Sequence, residues 1–391
     1  MSGPRTSLAV AALTMAVENG TVMAFSVLYL PLVAEFGEGR GMVAMVQSGV
    51  VLLGGLGAPL AGAALDRWGP RRLFQGGAAL AALGLLWASQ VQSLPWLVLA
   101  YGVVAGAGLS FLASQPNMVV VAQWFPRRRA QAIALADLGT PAGVFLLVPL
   151  TQLLVDRLGW RTSLQILAAL LVVLVIPANA LQRQPPAAAP AVGAGARSLR
   201  TALRTPTFWW LALLRFFAGL GFTLVNTHAV AAAVGAGIPP LQAAAALGSV
   251  SVVSLGGRLG VGWLADRLGP APALTVSYSS GLAGIGCLGA LVATGRWEWL
   301  AAFVGFYGLA QGSSGIVATA AATAAFHGQA VGVITGWIAV ASGPGEALGA
   351  WGGGALYDWT GGYRAALGLS AAALVTGVAA IWQVRARAWT P

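Results

Sequence analysis

The chain has 391 residues, of which 58% are hydrophobic and only 8% charged. A soluble domain carries roughly 25% charged residues because water must wet its surface, so a soluble enzyme, a disordered chain and a secreted scaffold are all excluded. The net charge of +11 comes with 21 basic residues that are all arginine. In so apolar a chain it reads as a signal of membrane orientation, and nucleic acid is not an expected partner.

At about 20 apolar residues per span, the predicted fold is an all-α membrane protein with twelve transmembrane helices. The spans fall at 7–33, 41–65, 73–92, 95–123, 130–154, 160–181, 206–234, 240–265, 272–294, 297–325, 329–357 and 361–383. The first run is too long for a signal-peptide core and has no convincing cleavage site, so it is kept as a helix. Residues 182–205 are rich in Pro, Ala and Arg and read as a linker. The predicted organisation is an N-terminal six-helix bundle (1–181), a cytoplasmic linker (182–205) and a C-terminal six-helix bundle (206–391). Placing both termini in the cytoplasm puts fourteen arginines on that side and five on the other, with Arg215 and Arg258 inside spans. The lone Cys287 excludes an intrachain disulfide. No metal constellation, nucleotide loop or nucleophile triad occurs, and no cofactor is expected.

The two halves echo each other. The end of span two and its loop read Gly-Ala-Pro-Leu-Ala-Gly-Ala-Ala-Leu-Asp-Arg-Trp-Gly-Pro over 57–70. Those of span eight read Gly-Arg-Leu-Gly-Val-Gly-Trp-Leu-Ala-Asp-Arg-Leu-Gly-Pro over 257–270, so Asp66 and Asp266 stand 200 residues apart. A second echo pairs the stretch from Asp156 to Arg161 with that from Asp358 to Arg364, and Asp156 and Asp358 are 202 apart. Nearly equal offsets imply a duplicated six-helix unit, giving two pseudo-symmetric bundles of the kind that rock about a central site in transporters.

The G-x-x-x-D-R-x-G-x-R-R run at 62–72 resembles the signature loop of the major facilitator superfamily. Asp66, Arg67, Arg71 and Arg72, with Asp266 and Arg267 in the second copy, are then expected to act in gating by pairing across the bundles. A narrower resemblance lies at 124–143, which is similar to the W/Y-F-x-x-R-R-x-x-A-x-G-x-x-x-x-G signature of the monocarboxylate transporters and their oxalate/formate antiporter relatives. The segments 226–230, 235–239 and 256–262 resemble helices seven and eight of that branch, and 19–37 fits helix one of its bacterial members. The resemblance implies that Arg258 clamps the substrate carboxylate. It also implies a bacterial inner (plasma) membrane location. The acid that eukaryotic members carry four residues before that arginine is Ser254 here. Neither a helix-one lysine nor a helix-eleven lysine is present, since the chain has no lysine, and a single clamp favours a monoanion over a dianion.

An ionisable residue at mid-membrane costs about 2.5–3.5 kcal/mol on insertion scales, so each is expected to face the bundle interior and to find a partner. Arg258 lies eight residues before Asp266, about 12 Å from the helix end. The first repeat has Ala58 there, so the loop motif does not demand an arginine. Its planar fork suits a carboxylate; the competing reading is an internal ion pair with Glu346 or Asp137. Arg215 is about two turns into span seven, where it could snorkel to the surface in a structural or gating role. Glu18, Asp137 and Glu346 lie near mid-depth and are candidate proton carriers or internal partners of arginine. His228 is either a satisfied hydrogen-bonder or a pH-sensitive gate or substrate contact. Gln115 and Asn117 on helix four, with Tyr307 and Gln311 on helix ten, are either substrate contacts or interhelical hydrogen-bonders.

The leading expectation is a monomeric secondary transporter, not an enzyme, that moves a small monocarboxylate such as lactate or pyruvate across the bilayer with a proton by alternating access. Its rivals are an exporter of amphipathic drugs or metabolites, an organic-anion antiporter of the oxalate/formate type, and a membrane sensor. About eight residues follow the last span, which counts against a sensor with an output domain.

Overall fold

A computed structural model describes residues 3–125, 127–183, 199–326 and 331–388. Residues 184–198 of the predicted linker lie outside that set. The described chain is almost wholly helical, as it must be where apolar surroundings offer the backbone no other hydrogen-bond partners. Nine helices are long and apolar enough to cross a membrane among the described residues.

Two of the nine are double. The run Arg40–Ala88 is broken by Gly69 (φ 77, ψ 166), giving α2 (40–68) and α3 (70–88). The run Gln131–Ala180 is broken by Gly159 (φ 79, ψ 165), giving α5 (131–158) and α6 (160–180). Around them stand α1 (Pro4–Phe36), α4 (Leu94–Trp124), α7 (Pro206–Gly235), α8 (Pro240–Leu268), α9 (Pro270–Thr294), α10 (Glu298–Ala325) and α12 (Arg364–Val384). Helix α11 is built from two pieces, Val331–Val340 and Ser342–Thr360. This set is consistent with the twelve predicted crossings.

Gly69 and Gly269 hold nearly the same backbone (φ 77, ψ 166 and φ 87, ψ 166), and each is followed by a proline that opens the next helix. Only glycine adopts this conformation without strain, and proline at a first helical position loses no hydrogen bond. The duplicated D-R-x-G-P run is thus the same hinge built twice. The other echo diverges. Gly159 turns the chain by itself, whereas the second copy carries one extra residue and forms an open turn in which Gly361 caps α11 in the left-handed region (φ 73).

The chain forms two compact units, Met1–Ala188 with Pro239–Gly248, and Ala189–Ile238 with Ser249–Pro391. Within each, the first and fifth helices of the repeat pack along each other through glycine. A side chain at Gly143 would strike the carbonyl of Ala16, and one at Gly345 that of Phe216. These pairs are offset by 202 and 200 residues, so the close approach of small residues that packs helices in lipid is repeated with the sequence.

Candidate functional site

Helix α10 is interrupted halfway. Its first half ends at Ala310, Gln311 is extended (φ −66, ψ 130), Gly312 is left-handed (φ 85, ψ −4), and the helix resumes at Ser313. Freed backbone at this depth is tolerated only inside protein or along a cavity. The Ser313 hydroxyl donates to the carbonyl of Ala310 (2.8 Å) and satisfies one freed group. Helix α4 breaks at the corresponding place: Ala113 is extended (φ −57, ψ 165), and Ser114 and Ser314 are 200 apart.

Two arginines converge on the α10 break. A Cβ at Gly312 would lie 2.5 Å from Arg258 Nε and 3.0 Å from its Cζ, so the guanidinium occupies the space this glycine leaves. From α7, Arg215 Nη1 donates to Ser314 Oγ at 2.8 Å. Arg215 therefore reaches the middle of α10 and does not extend to a helix end as a snorkelling side chain would. Glu346 completes the group. Gly219, one turn after Arg215, lets α11 approach, since a Cβ there would be 3.0 Å from Glu346 Cγ. The Ser342 hydroxyl and the Arg215 guanidinium are the polar groups near the Glu346 carboxylate. Two positive groups and one negative group thus gather beside the first turn of Ser313–Ala325. That turn's free N–H groups and dipole also favour an anion.

Neutral groups frame the break. Asn226 Oδ1 accepts from the Tyr307 hydroxyl (3.1 Å) and from Gln311 Nε2 (3.2 Å), and Tyr307 also reaches the carbonyl of Phe222 (3.0 Å). Gln311 Oε1 is buried and accepts no hydrogen bond. Ser254 is turned onto its own helix, donating to the carbonyl of Ser251 (2.6 Å). His228 binds the carbonyl of Ala350 through Nε2 (2.8 Å) and packs beside Tyr363, with ring centroids 5.6 Å apart, so it ties α7 to α11.

The remaining candidates lie in the first unit. Asn117 spends its Nδ2 on the carbonyls of Leu112 (2.8 Å) and Ala113 (3.0 Å), which caps the α4 break, while Gln115 is exposed. Glu18 is buried and accepts from Asn19 Nδ2 (2.9 Å). Asp137 accepts from Thr140 Oγ1 (3.2 Å) at the start of α5. The gating candidates Asp66, Arg67, Arg71, Arg72, Asp266 and Arg267 are all exposed, and Arg267 stacks on Trp263 at 4.2 Å. No group of three His, Cys, Asp or Glu able to hold a metal occurs among the described residues. Arg215 and Gly312 are the residues that sequence reading under-weighted. The signal for them was the Gly-Ser-Ser run after Gln311, which marks a helix break without revealing what reaches it.

A duplicated six-helix unit whose helices break beside buried charged side chains defines the architecture of a membrane transporter. The Major Facilitator Superfamily profile matches residues 8–294, and the chain belongs to that family. It is 30% identical over 262 residues to monocarboxylate transporter 13 of Bos taurus, covering 67% of this chain and 61% of that protein. It is 34% identical over 268 residues to monocarboxylate transporter 11 of Mus musculus, covering 66% of this chain and 59% of that one. The chain thus spans about three-fifths of the length of these curated relatives. Among solved structures, a bacterial homolog of the human lysosomal transporter Spinster, inward-facing and unoccupied, superposes with a TM-score of 0.71. The identity is 16%, over 98% of this chain and 95% of that one, a likeness of fold.

Proposed function

We propose that this protein is a secondary active transporter that moves a small monocarboxylate, of the lactate or pyruvate kind, together with a proton by alternating access. The observation that carries this reading is the Arg258 guanidinium seated against Gly312 at the α10 break. The substrate carboxylate docks on its fork, where paired N–H···O bonds give both strength and orientation, and the first turn of Ser313–Ala325 adds its dipole. The relatives named monocarboxylate transporters support the same class of cargo. Arg215, Arg258 and Glu346 carry a net single positive charge when Glu346 is ionised, and binding one carboxylate together with one proton on Glu346 leaves that charge unchanged, so the loaded site is no more costly to occlude than the empty one. The arginine bias of the loops supports cytoplasmic termini in an inner membrane.

Gln311 refines the substrate class. Its Oε1 accepts no hydrogen bond and stands one residue from the glycine that holds Arg258. A 2-hydroxy acid bound through its carboxylate can donate its hydroxyl to this oxygen. Gln311→Leu is therefore expected to lower lactate uptake about fivefold, the worth of one hydrogen bond, and to leave propionate uptake within twofold. Equal losses for both acids would remove Gln311 from substrate selection.

Glu346 is assigned the proton, because it lies close to Arg215, which binds Ser314 at the α10 break. Labelled lactate uptake into proteoliposomes under an imposed gradient of one pH unit is the test. Coupling of one proton per carboxylate predicts about tenfold accumulation. Glu346→Gln is expected to exchange lactate but to accumulate it no further than equilibrium. If Glu346→Gln still accumulates while Glu18→Gln or Asp137→Asn does not, the proton belongs to that other acid. Uptake of amphipathic cations in place of carboxylates would overturn the whole reading in favour of an exporter.

A further inference from the structure

The end of the first unit, where α1 begins and α6 finishes, holds a cavity of about 740 Å³ lined by Arg67, Arg71, Arg72, Gly69 and Gln182 among others. No carboxylate lines it; Asp66 does not. None of the three arginines makes an ion pair among the described residues. Gln182 is 3% exposed. The Ser7 hydroxyl donates to its Oε1 at 2.7 Å, which fixes the amide and leaves Nε2 as a buried donor with no hydrogen bond. The Arg71 and Arg72 amides belong to the first turn of α3, which has no intrahelical acceptors for them. Donors and cations thus predominate here; the exception is Gln75, which also lines the cavity and spends its Nε2 on the carbonyl of Ile176 (3.0 Å), leaving its Oε1 as an acceptor.

The duplication supplies an internal control. The second unit builds the same hinge and a cavity of about 570 Å³ beside it. At the positions of Arg71 and Arg72 it carries Ala271 and Pro272, each 200 residues on, and at the position of Gln182 it carries Val384, 202 residues on. Arg67 has its counterpart in Arg267, but Asp266 also lines that second cavity. The fold is thus built equally well without Arg71, Arg72 and Gln182. The stability of the hinge does not explain why three donors meet in the first copy, one of them buried without an acceptor.

We propose that this cavity is a binding site for a phosphate group, distinct from the carboxylate site at α10. Several guanidinium forks, a fixed amide N–H and a helix first turn suit a multiply charged tetrahedral oxyanion better than a single planar carboxylate. The phosphate comes either from the headgroup of an anionic phospholipid, whose level matches a cavity at a bundle end, or from free phosphate in solution.

The test uses the purified full-length protein, delipidated in a neutral detergent. Phosphatidylglycerol and phosphatidylcholine adducts are counted by native mass spectrometry, and inorganic phosphate is measured by equilibrium binding. The wild type is expected to hold phosphatidylglycerol well above phosphatidylcholine, or to bind inorganic phosphate. The double substitution Arg71→Ala and Arg72→Ala should weaken this about thirtyfold, and Gln182→Val about tenfold. Arg267→Ala, in the second copy, should leave it unchanged. Phosphatidylglycerol binding that inorganic phosphate does not compete with assigns the headgroup; competition assigns the free anion; both support the site. If the double variant does not stay folded in the detergent, Gln182→Val alone decides. Wild-type protein that binds neither anion, or a folded Gln182→Val variant that binds as the wild type does, would overturn the proposal.

Discussion

Replacing Arg258 with alanine is expected to cut carboxylate uptake about a hundredfold, within the 2–5 kcal/mol that losing one partner of a buried, hydrogen-bonded charge pair costs, while the protein still folds. The guanidinium is not needed by the hinge that follows it, because the first repeat builds the same hinge with Ala58 at this position. Arg258→Lys should recover only part of the activity: it restores the charge but not the fork that engages both carboxylate oxygens. Concentration-dependent uptake of labelled lactate into proteoliposomes measures both variants. If Arg258→Ala transports as well as the wild type, Arg258 is no clamp.

Gly312→Ala is expected to come close to the same loss without touching a charged residue. Two effects add. The left-handed backbone (φ 85) costs an alanine about 1–2 kcal/mol, and its methyl would stand 2.5 Å from Arg258 Nε. Because the obstructed atoms belong to the end of a flexible side chain, the guanidinium moves away and the fold survives with reduced stability. Substrate affinity then falls because the fork no longer stands over the first turn of Ser313–Ala325. Gly315→Ala is the control, since its Cβ would meet only Arg215 Nη1, at an ordinary 3.6 Å. Thermal unfolding and lactate affinity, measured together on both variants, separate loss of fold from loss of site.

Much of the architecture was written in the chain. The 200-residue spacing of Asp66 and Asp266 foretold a duplicated unit, and the structure gives Gly69 and Gly269 one conformation. Loop lengths were less legible. A single glycine, Gly69 or Gly159, turns the chain between two spans, where the composition suggested loops of several residues. The candidate site was legible in part. Depth and charge singled out Arg258 and Glu346, because burying a charge needs a reason. The partner of Arg215 was not legible, since Ser314 lies 99 residues away and only the break in α10 brings it within reach. Asn117 shows the opposite case. A polar residue inside an apolar helix suggests a ligand contact, but its amide caps a helix break whose position depends on packing.

The most direct test is a structure of the protein with a saturating monocarboxylate that carries a heavy atom for placement, such as a bromo-substituted short-chain acid. Both carboxylate oxygens should lie within about 2.7–2.9 Å of the Arg258 nitrogens, with the anion beside Gly312 and Ser313. An anion bound elsewhere, with Arg258 held by Glu346 or Asp137 in that same complex, would contradict the mechanism and leave only the fold standing.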